Sequence, residues 1–193
     1  MQARATSMTL ARVVLPERSR VADAALVAGG ALFTALLAQI SIPLPFTPVP
    51  ITGQTLAVLL TGALLGSRLG PASMLLYVAL GAIGLPFYAG GAHGLSQLLG
   101  PSGGYLAGFI VADFVIGWLA ERRWDRSLPR SVGAMLVGQV VIYALGLLWL
   151  GYALHWPANL LALGMFPFLI GDALKLAIAG LLLPWGWRLR GER

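Results

Sequence analysis

Apolar residues occur along this chain in long uninterrupted runs, with no alternation of polar and apolar positions. Six such runs predict membrane helices: 21–42 ("VADAALVAGGALFTALLAQISI"), 51–66, 71–87, 103–121, 131–154 and 167–187. A helix crossing the hydrocarbon layer needs about 20 apolar residues, within a range of roughly 17–25. The second and third runs sit at or below that limit, so they are expected to merge partly with their loops or to fall short of the full thickness. The pattern predicts an all-α membrane protein, a bundle of six transmembrane helices.

The cations support the same count. Arg4, Arg12, Arg18 and Arg20 precede the first run, and Arg68 lies between the second and third. Arg122, Arg123, Arg126 and Arg130 lie between the fourth and fifth, and Arg188, Arg190 and Arg193 end the chain. With six crossings every arginine falls on one side; with five the alternation breaks. The positive-inside rule then places both N- and C-termini in the cytoplasm. The domain reading is a basic cytoplasmic extension at 1–20, a membrane domain at 21–187 and a basic tail at 188–193. A targeting segment is the rival reading of the first twenty residues. The apolar run behind them is too long for a signal core and shows no small-x-small cleavage site, so a retained extension is expected.

Composition narrows the class further. The chain of 193 residues is 58% hydrophobic and 10% charged, with a mean hydropathy of +0.83. Soluble domains carry about 25% charged residues, so this chain cannot coat a soluble particle. The net charge of +6 is used up by membrane orientation, and no nucleic-acid partner is expected. Cysteine is absent, which excludes disulfides and thiolate metal sites. His93 and His155 are too few for a histidine metal site, and no cofactor is expected.

The loops opposite the arginines hold no Lys or Arg. The first, "IPLPFTPVPITGQT", carries Pro43, Pro45, Pro48 and Pro50 and then Thr47, Thr52, Gln54 and Thr55 as polar groups. Prolines stiffen such a segment into an extended form with few backbone donors to satisfy. The second, "GLPFYAGGAHGLSQLLGPSGGY", has glycines at 84, 90, 91, 94, 100, 103 and 104. It lacks the Lys and Ser/Thr of a phosphate loop; a folded-in loop whose backbone meets a small ligand fits better. The third, "HWPANLLALGMFP", has room for a short interfacial helix, with Trp156 as a headgroup anchor.

The segment "GDALKL" places Asp172 and Lys175 on one helical face, about one and a half turns from the outer start of the last run. An intramembrane charge costs roughly 2.5–3.5 kcal/mol at the bilayer centre and less near the interface. Intramembrane ionisable groups mark functional sites by default; a self-neutralised structural pair is the alternative. Acceptors beside donors suit a small ligand bearing N–H groups and a carbonyl or carboxylate. Asp113, in "FIVADFVIG", either faces a cavity or bonds a neighbouring helix.

Three blocks together, "PLPFTPVPITGQTLAVLLTGALLG", "GLPFYAGGAHGLSQLLGPSGGYLAGF" and "FPFLIGDALKLAIAGLLL", resemble the BioY family of biotin-binding membrane components of energy-coupling-factor (ECF) vitamin transporters. The similarity runs over roughly residues 20–185. The resemblance implies six helices, biotin held at the outer face under loops 43–50 and 86–104, and a location in a bacterial or archaeal cell (inner) membrane. It implies as partners the lipid bilayer, a transmembrane coupling subunit and two ATPases, since this chain has no Walker motif. Homo-oligomerisation, and action without the energising unit, stay open. By the match to a Gly-Asp-x-Leu-Lys segment, Asp172 would accept a ureido N–H, and Lys175 would meet the ureido oxygen or the tail carboxylate. Gln54 and Tyr105 come next from their matching blocks, with Phe87, Tyr88 and Trp156 as apolar wall. Ala24, Ala28, Ala31, Ala35 and Ala38 form a small-residue stripe of the kind that lets helices approach closely. Ala31 and Ala35 match the family's docking face for the coupling subunit; packing within the bundle is the other reading. Alternatives are a carrier for another small vitamin, a structural membrane subunit, and an intramembrane aspartyl protease built on Asp113 and Asp172.

Overall fold

The computed structural model describes residues 9–14 and 19–189. Arg4, Arg18, Arg190 and Arg193, with most of the expected extension and tail, lie outside the described residues. The helices are α1 (Leu10–Val14), α2 (Arg20–Ala38), α3 (Gln54–Ala82), α4 (Leu95–Leu99), α5 (Gly103–Ala120), α6 (Leu128–Ala153), α7 (Leu160–Gly164) and α8 (Leu169–Leu189). Two short strands, β1 (Ser41–Ile42) and β2 (Ile51–Thr52), pair antiparallel, with Ser41 opposite Thr52. The Ser19 hydroxyl starts α2 by accepting the Ala22 N–H at 3.2 Å, filling one of the donors that every helix start leaves open. The architecture is all-α, and α2, α3, α5, α6 and α8 with its α7 lead-in are the five helices long and apolar enough to cross a membrane among the described residues.

The expected second and third segments form one element, α3, but that element is folded back on itself. The Gln54 amide donates to the Tyr77 hydroxyl, 23 residues further on. In a straight helix the two residues would stand about 34 Å apart. The reversal is at Gly66, whose φ of +85° and ψ of −179° are non-helical; side-chain-bearing residues are essentially never found there. The carboxylate of Glu121, at the end of α5, then accepts the Ser67 N–H and hydroxyl, both at 2.9 Å. That caps the second arm. The sequence places a four-residue loop before Pro71; the fold needs only one glycine there because Glu121 supplies the cap. The arms, 54–65 and 67–82, are about 18 and 24 Å long, each short of the roughly 30 Å hydrocarbon layer.

This reversal also accounts for Asp113. The side chain of Asp113 is fully buried in a slot between the two arms. A Cβ on Gly62 would stand 2.5 Å from its carboxyl, and one on Gly70 3.2 Å. The hydroxyl of Thr61 lies 3.3 Å away. Asp113 therefore bonds a neighbouring helix and does not line the cavity described below.

The described arginines gather at one end of the bundle, beside the Gly66 reversal, the 121–127 loop and the end of α8. There α1, in the expected extension, folds across the reversal: Thr9 and Leu10 are buried, and a Cβ on Gly186 would touch Leu10 at 3.4 Å. The Trp187 indole N–H donates to Asp125 at 2.6 Å, and the Arg126 guanidinium covers the same ring at 4.1 Å. At the other end α2 stops at Ala38, short of the expected Ile42, because the chain turns into β1. There α3, α5 and α8 begin.

Burial pushes the Asp125 carboxyl up to about 6, against the hydrogen bond from Trp187 and the charge of Arg126, which pull it down. A folded-state value above the unfolded one means that this group's contribution is full below pH 3.8 and is lost as pH rises through 6. The change is on the order of 3 kcal/mol. Asp125→Asn, whose amide oxygen still accepts from Trp187, is expected to be at least as stable as the parent at pH 7.5. Its melting temperature is expected to fall less than the parent's between pH 4 and 7, read from tryptophan fluorescence in detergent.

Candidate ligand-binding site

A cavity of about 450 Å³ opens at the arginine-free end, within the range of small-molecule sites. Each part of the chain contributes by its position. The β1–β2 ladder closes the base of the proline-rich segment, so Pro43, Pro48 and Pro50 lie across the cavity. The first turn of α3 brings Gln54 and Thr55, α5 brings Tyr105 and Phe109, and α6 brings Gln139, Ile142 and Tyr143. Phe168 comes from the turn just before α8, and the start of α8 brings Asp172 and Lys175.

The polar core of the site is the Asp172 carboxylate. Its Oδ1 accepts from Lys175 Nζ at 2.9 Å and from the Thr55 hydroxyl at 3.2 Å. Its Oδ2 accepts from the Tyr143 hydroxyl at 2.5 Å and from the Gln139 amide at 2.8 Å. Lys175 also donates to the Thr55 oxygen at 2.9 Å. The side chains of the ion pair are 7% and 16% exposed, so the pair is desolvated yet open on the cavity side. Such a pair holds in low dielectric only because these further hydrogen bonds complete it.

The cover over the cavity hangs on two hydroxyls. Thr47 donates to the Leu163 carbonyl at 2.7 Å, and Tyr105 donates to the next carbonyl, Gly164, at 2.7 Å. Together they join the proline-rich segment and α5 to α7. On the other flank Tyr88 donates to the Val78 carbonyl at 2.6 Å; burial pushes its phenol up to about 12, so it remains a donor. Gln54 accepts from Thr52 at 2.8 Å and donates to Tyr77, which ties the loop to both arms of α3.

Of the residues expected from the sequence, Asp172, Lys175, Gln54, Tyr105 and Tyr88 line this cavity. Phe87 and Trp156 do not. Phe87 stacks on Tyr77 at 6.3 Å, away from the cavity. Trp156 is 59% exposed, turned outward by left-handed backbone at His155 and Trp156 (φ 58° and 55°). Ala31 and Ala35, the expected docking positions, lie on the small-residue stripe of α2. Both are buried within the chain, at 0% and 6% exposure, on the face of α2 that packs against α3. Ala24, nearer the start of the helix, is exposed. Gln139 and Tyr143 were not expected. The signal that finds them is a lone amide inside an apolar run, with a phenol one turn later on the same face. The two intramembrane aspartates do not form a dyad: Asp172 meets Thr55 and Asp113 meets Thr61, six residues or about 9 Å apart along one helical arm.

The sequence matches the model of the BioY family over residues 6–192. The chain belongs to the BioY family. Its relatives include a biotin transporter BioY of Thermotoga maritima, 42% identical and covering 78% of this chain and 89% of that one. Another is the biotin transporter BioY of Rhodobacter capsulatus, 41% identical over 78% of this chain and 87% of its relative. Among solved structures, the S-component for biotin from an ECF-type ABC transporter superposes with a TM-score of 0.79 at 28% identity, covering 92% of this chain and 96% of that one. A BioY-family chain is a multi-pass membrane transport component and not an enzyme.

Removing one partner of a desolvated pair is more harmful than removing both. Lys175→Met is expected to destabilise the protein by about 3 kcal/mol, while adding Asp172→Asn to it restores at least half of the loss. Thermal unfolding of the two variants in detergent checks this.

Proposed function

We propose that this chain is the biotin-binding membrane component of an energy-coupling-factor uptake transporter, taking biotin with high affinity at the outer face. The single observation that carries the reading is the Asp172–Lys175 pair, desolvated on the wall of an otherwise largely apolar cavity, in a chain that is 42% identical to a biotin transporter. Biotin presents the matching chemistry. Its ureido ring carries two N–H donors and a carbonyl, its fused rings and chain are apolar, and its tail ends in a carboxylate. Asp172 accepts a ureido N–H. Lys175 donates to the ureido oxygen or, in the reverse orientation, to the tail carboxylate. Tyr88, Tyr105 and Gln54 shape the walls, and the segments 43–50 and 86–104 cover the ligand.

The arginine-rich end faces the cytoplasm in this reading, with both termini there and the two arms of α3 counted as two of six crossings. The cavity then opens outward. The energy for uptake comes from a coupling subunit and two ATPases docked on the cytoplasmic side, and the membrane is the cell (inner) membrane of a bacterium or archaeon.

Titration calorimetry of the detergent-solubilised protein is expected to show stoichiometric biotin binding. Asp172→Asn is expected to weaken it at least about tenfold, the value of one hydrogen bond to a charged group, with unchanged helicity. A folded, monodisperse protein that gives no heat with biotin overturns the proposal. Because the parent has no cysteine, single cysteines report orientation cleanly. Phe46→Cys, at a site 58% exposed, is expected to react with impermeant maleimide from outside intact cells, and Trp124→Cys, at a site 37% exposed, only after permeabilisation. The reverse pattern inverts the topology.

A further inference from the structure

We infer that Asp172 receives the ligand through its Oδ1 oxygen alone, and that Gln139 and Tyr143 are positioning residues that hold Oδ2 out of the ligand's reach. The inference rests on the biotin reading above and deepens it. An ionised carboxylate has about four lone-pair sites, and Asp172 already meets four donors: Gln139, Tyr143, Lys175 and Thr55. A ligand N–H therefore binds only by displacing one of them.

The distances decide which one. At Oδ2 the two bonds are 2.5 and 2.8 Å, and both donors come from a single buried face of α6, where Gln139 and Tyr143 are 8% and 9% exposed. Both also face the cavity, but neither can leave without giving up a short bond to the charged carboxylate, the stronger class of hydrogen bond. At Oδ1, Lys175 stands at 2.9 Å and Thr55 at 3.2 Å, the longest of the four. The Thr55 hydroxyl also accepts from Lys175, so when its own hydrogen is displaced its oxygen stays bonded. Thr55 is thus the donor that yields. An arriving N–H takes its place on Oδ1 beside Lys175, which then has a carbonyl oxygen of the same ureido group within reach. The α6 clamp fixes the carboxylate plane, so that Oδ1 keeps one direction towards the cavity.

A role in aiming differs from a role in folding by its effect on ligand discrimination. The experiment measures affinities for biotin and for biotin methylated on either ureido nitrogen, in the parent, Tyr143→Phe, Gln139→Leu and Gln139→Asn. In the parent, one of the two methyl analogues is expected to bind at least about tenfold more weakly than biotin, having lost the N–H that meets Oδ1. In Tyr143→Phe and Gln139→Leu, biotin is expected to weaken while the ratio between biotin and that analogue shrinks towards one, because the carboxylate no longer holds its direction. Gln139→Asn, which keeps the amide, is expected to regain part of the ratio. If both variants weaken every ligand by the same factor and leave the ratio at the parent value, the residues are merely structural and the inference is overturned. If the parent binds biotin but tolerates a methyl on either nitrogen, the Oδ1 contact is wrong while the biotin reading stands. If the folded parent binds none of the three, both readings fall.

Discussion

An ionised side chain inside a membrane bundle is tolerable only when its hydrogen-bonding capacity is filled by the protein, and Asp172 fills its capacity from three helices. Thr55 comes from α3, Gln139 and Tyr143 from α6, and Lys175 from α8 itself. The same bonds that make the charge tolerable fasten these helices around one cavity. Site and scaffold are therefore not separable here. The carboxylate is the point at which the upper halves of three helices are registered against one another, and the ligand chemistry is carried by whatever capacity that registration leaves exchangeable.

The lower half is organised by backbone instead. Gly66 turns α3 back with a single residue, and Glu121 reaches from the end of α5 to cap the returning arm. Both arms then lie close enough to enclose Asp113, whose carboxyl would collide with a side chain at Gly62. Close approach through small residues is how helices associate where lipid offers no hydrophobic driving force, and the buried face of α2 follows the same rule. Asp113 and Asp172 thus have different duties. Asp113 is enclosed between packed helices against the Thr61 hydroxyl, whereas Asp172 borders open space.

Much of this was legible in the residues. The class, the apolar segments and the gathering of arginines at one end follow from the hydrophobic runs and the charges between them. Asp172 and Lys175 stood out because charge is conspicuous in an apolar run. Gln139 and Tyr143 did not, since an amide and a phenol barely disturb such a run, and their importance comes from a carboxylate 33 and 29 residues away. The one-residue turn at Gly66 was hidden for the same reason: its cap lies 54 residues downstream. The Ala31–Ala35 stripe was readable as small, but smallness suits a partner helix of the same chain as well as one of another. Trp156 carries the composition of a wall residue; only the local backbone, left-handed at two successive residues, shows that its ring faces away.

That α3, α5 and α8 all begin at the cavity has an electrostatic consequence. A helix start carries roughly half a positive elementary charge from its unpaired amide groups. Three such starts, near Gln54, Gly103 and Leu169, point towards one small, largely apolar space. Each brings amide groups of fixed direction to the cavity without a basic side chain, while the carbonyl ends of α2, of the second arm of α3 and of α6 reach the same end of the bundle. A polar ligand entering here meets peptide dipoles of both signs at fixed positions, groups that do not titrate and that add no side-chain charge to this end of the bundle.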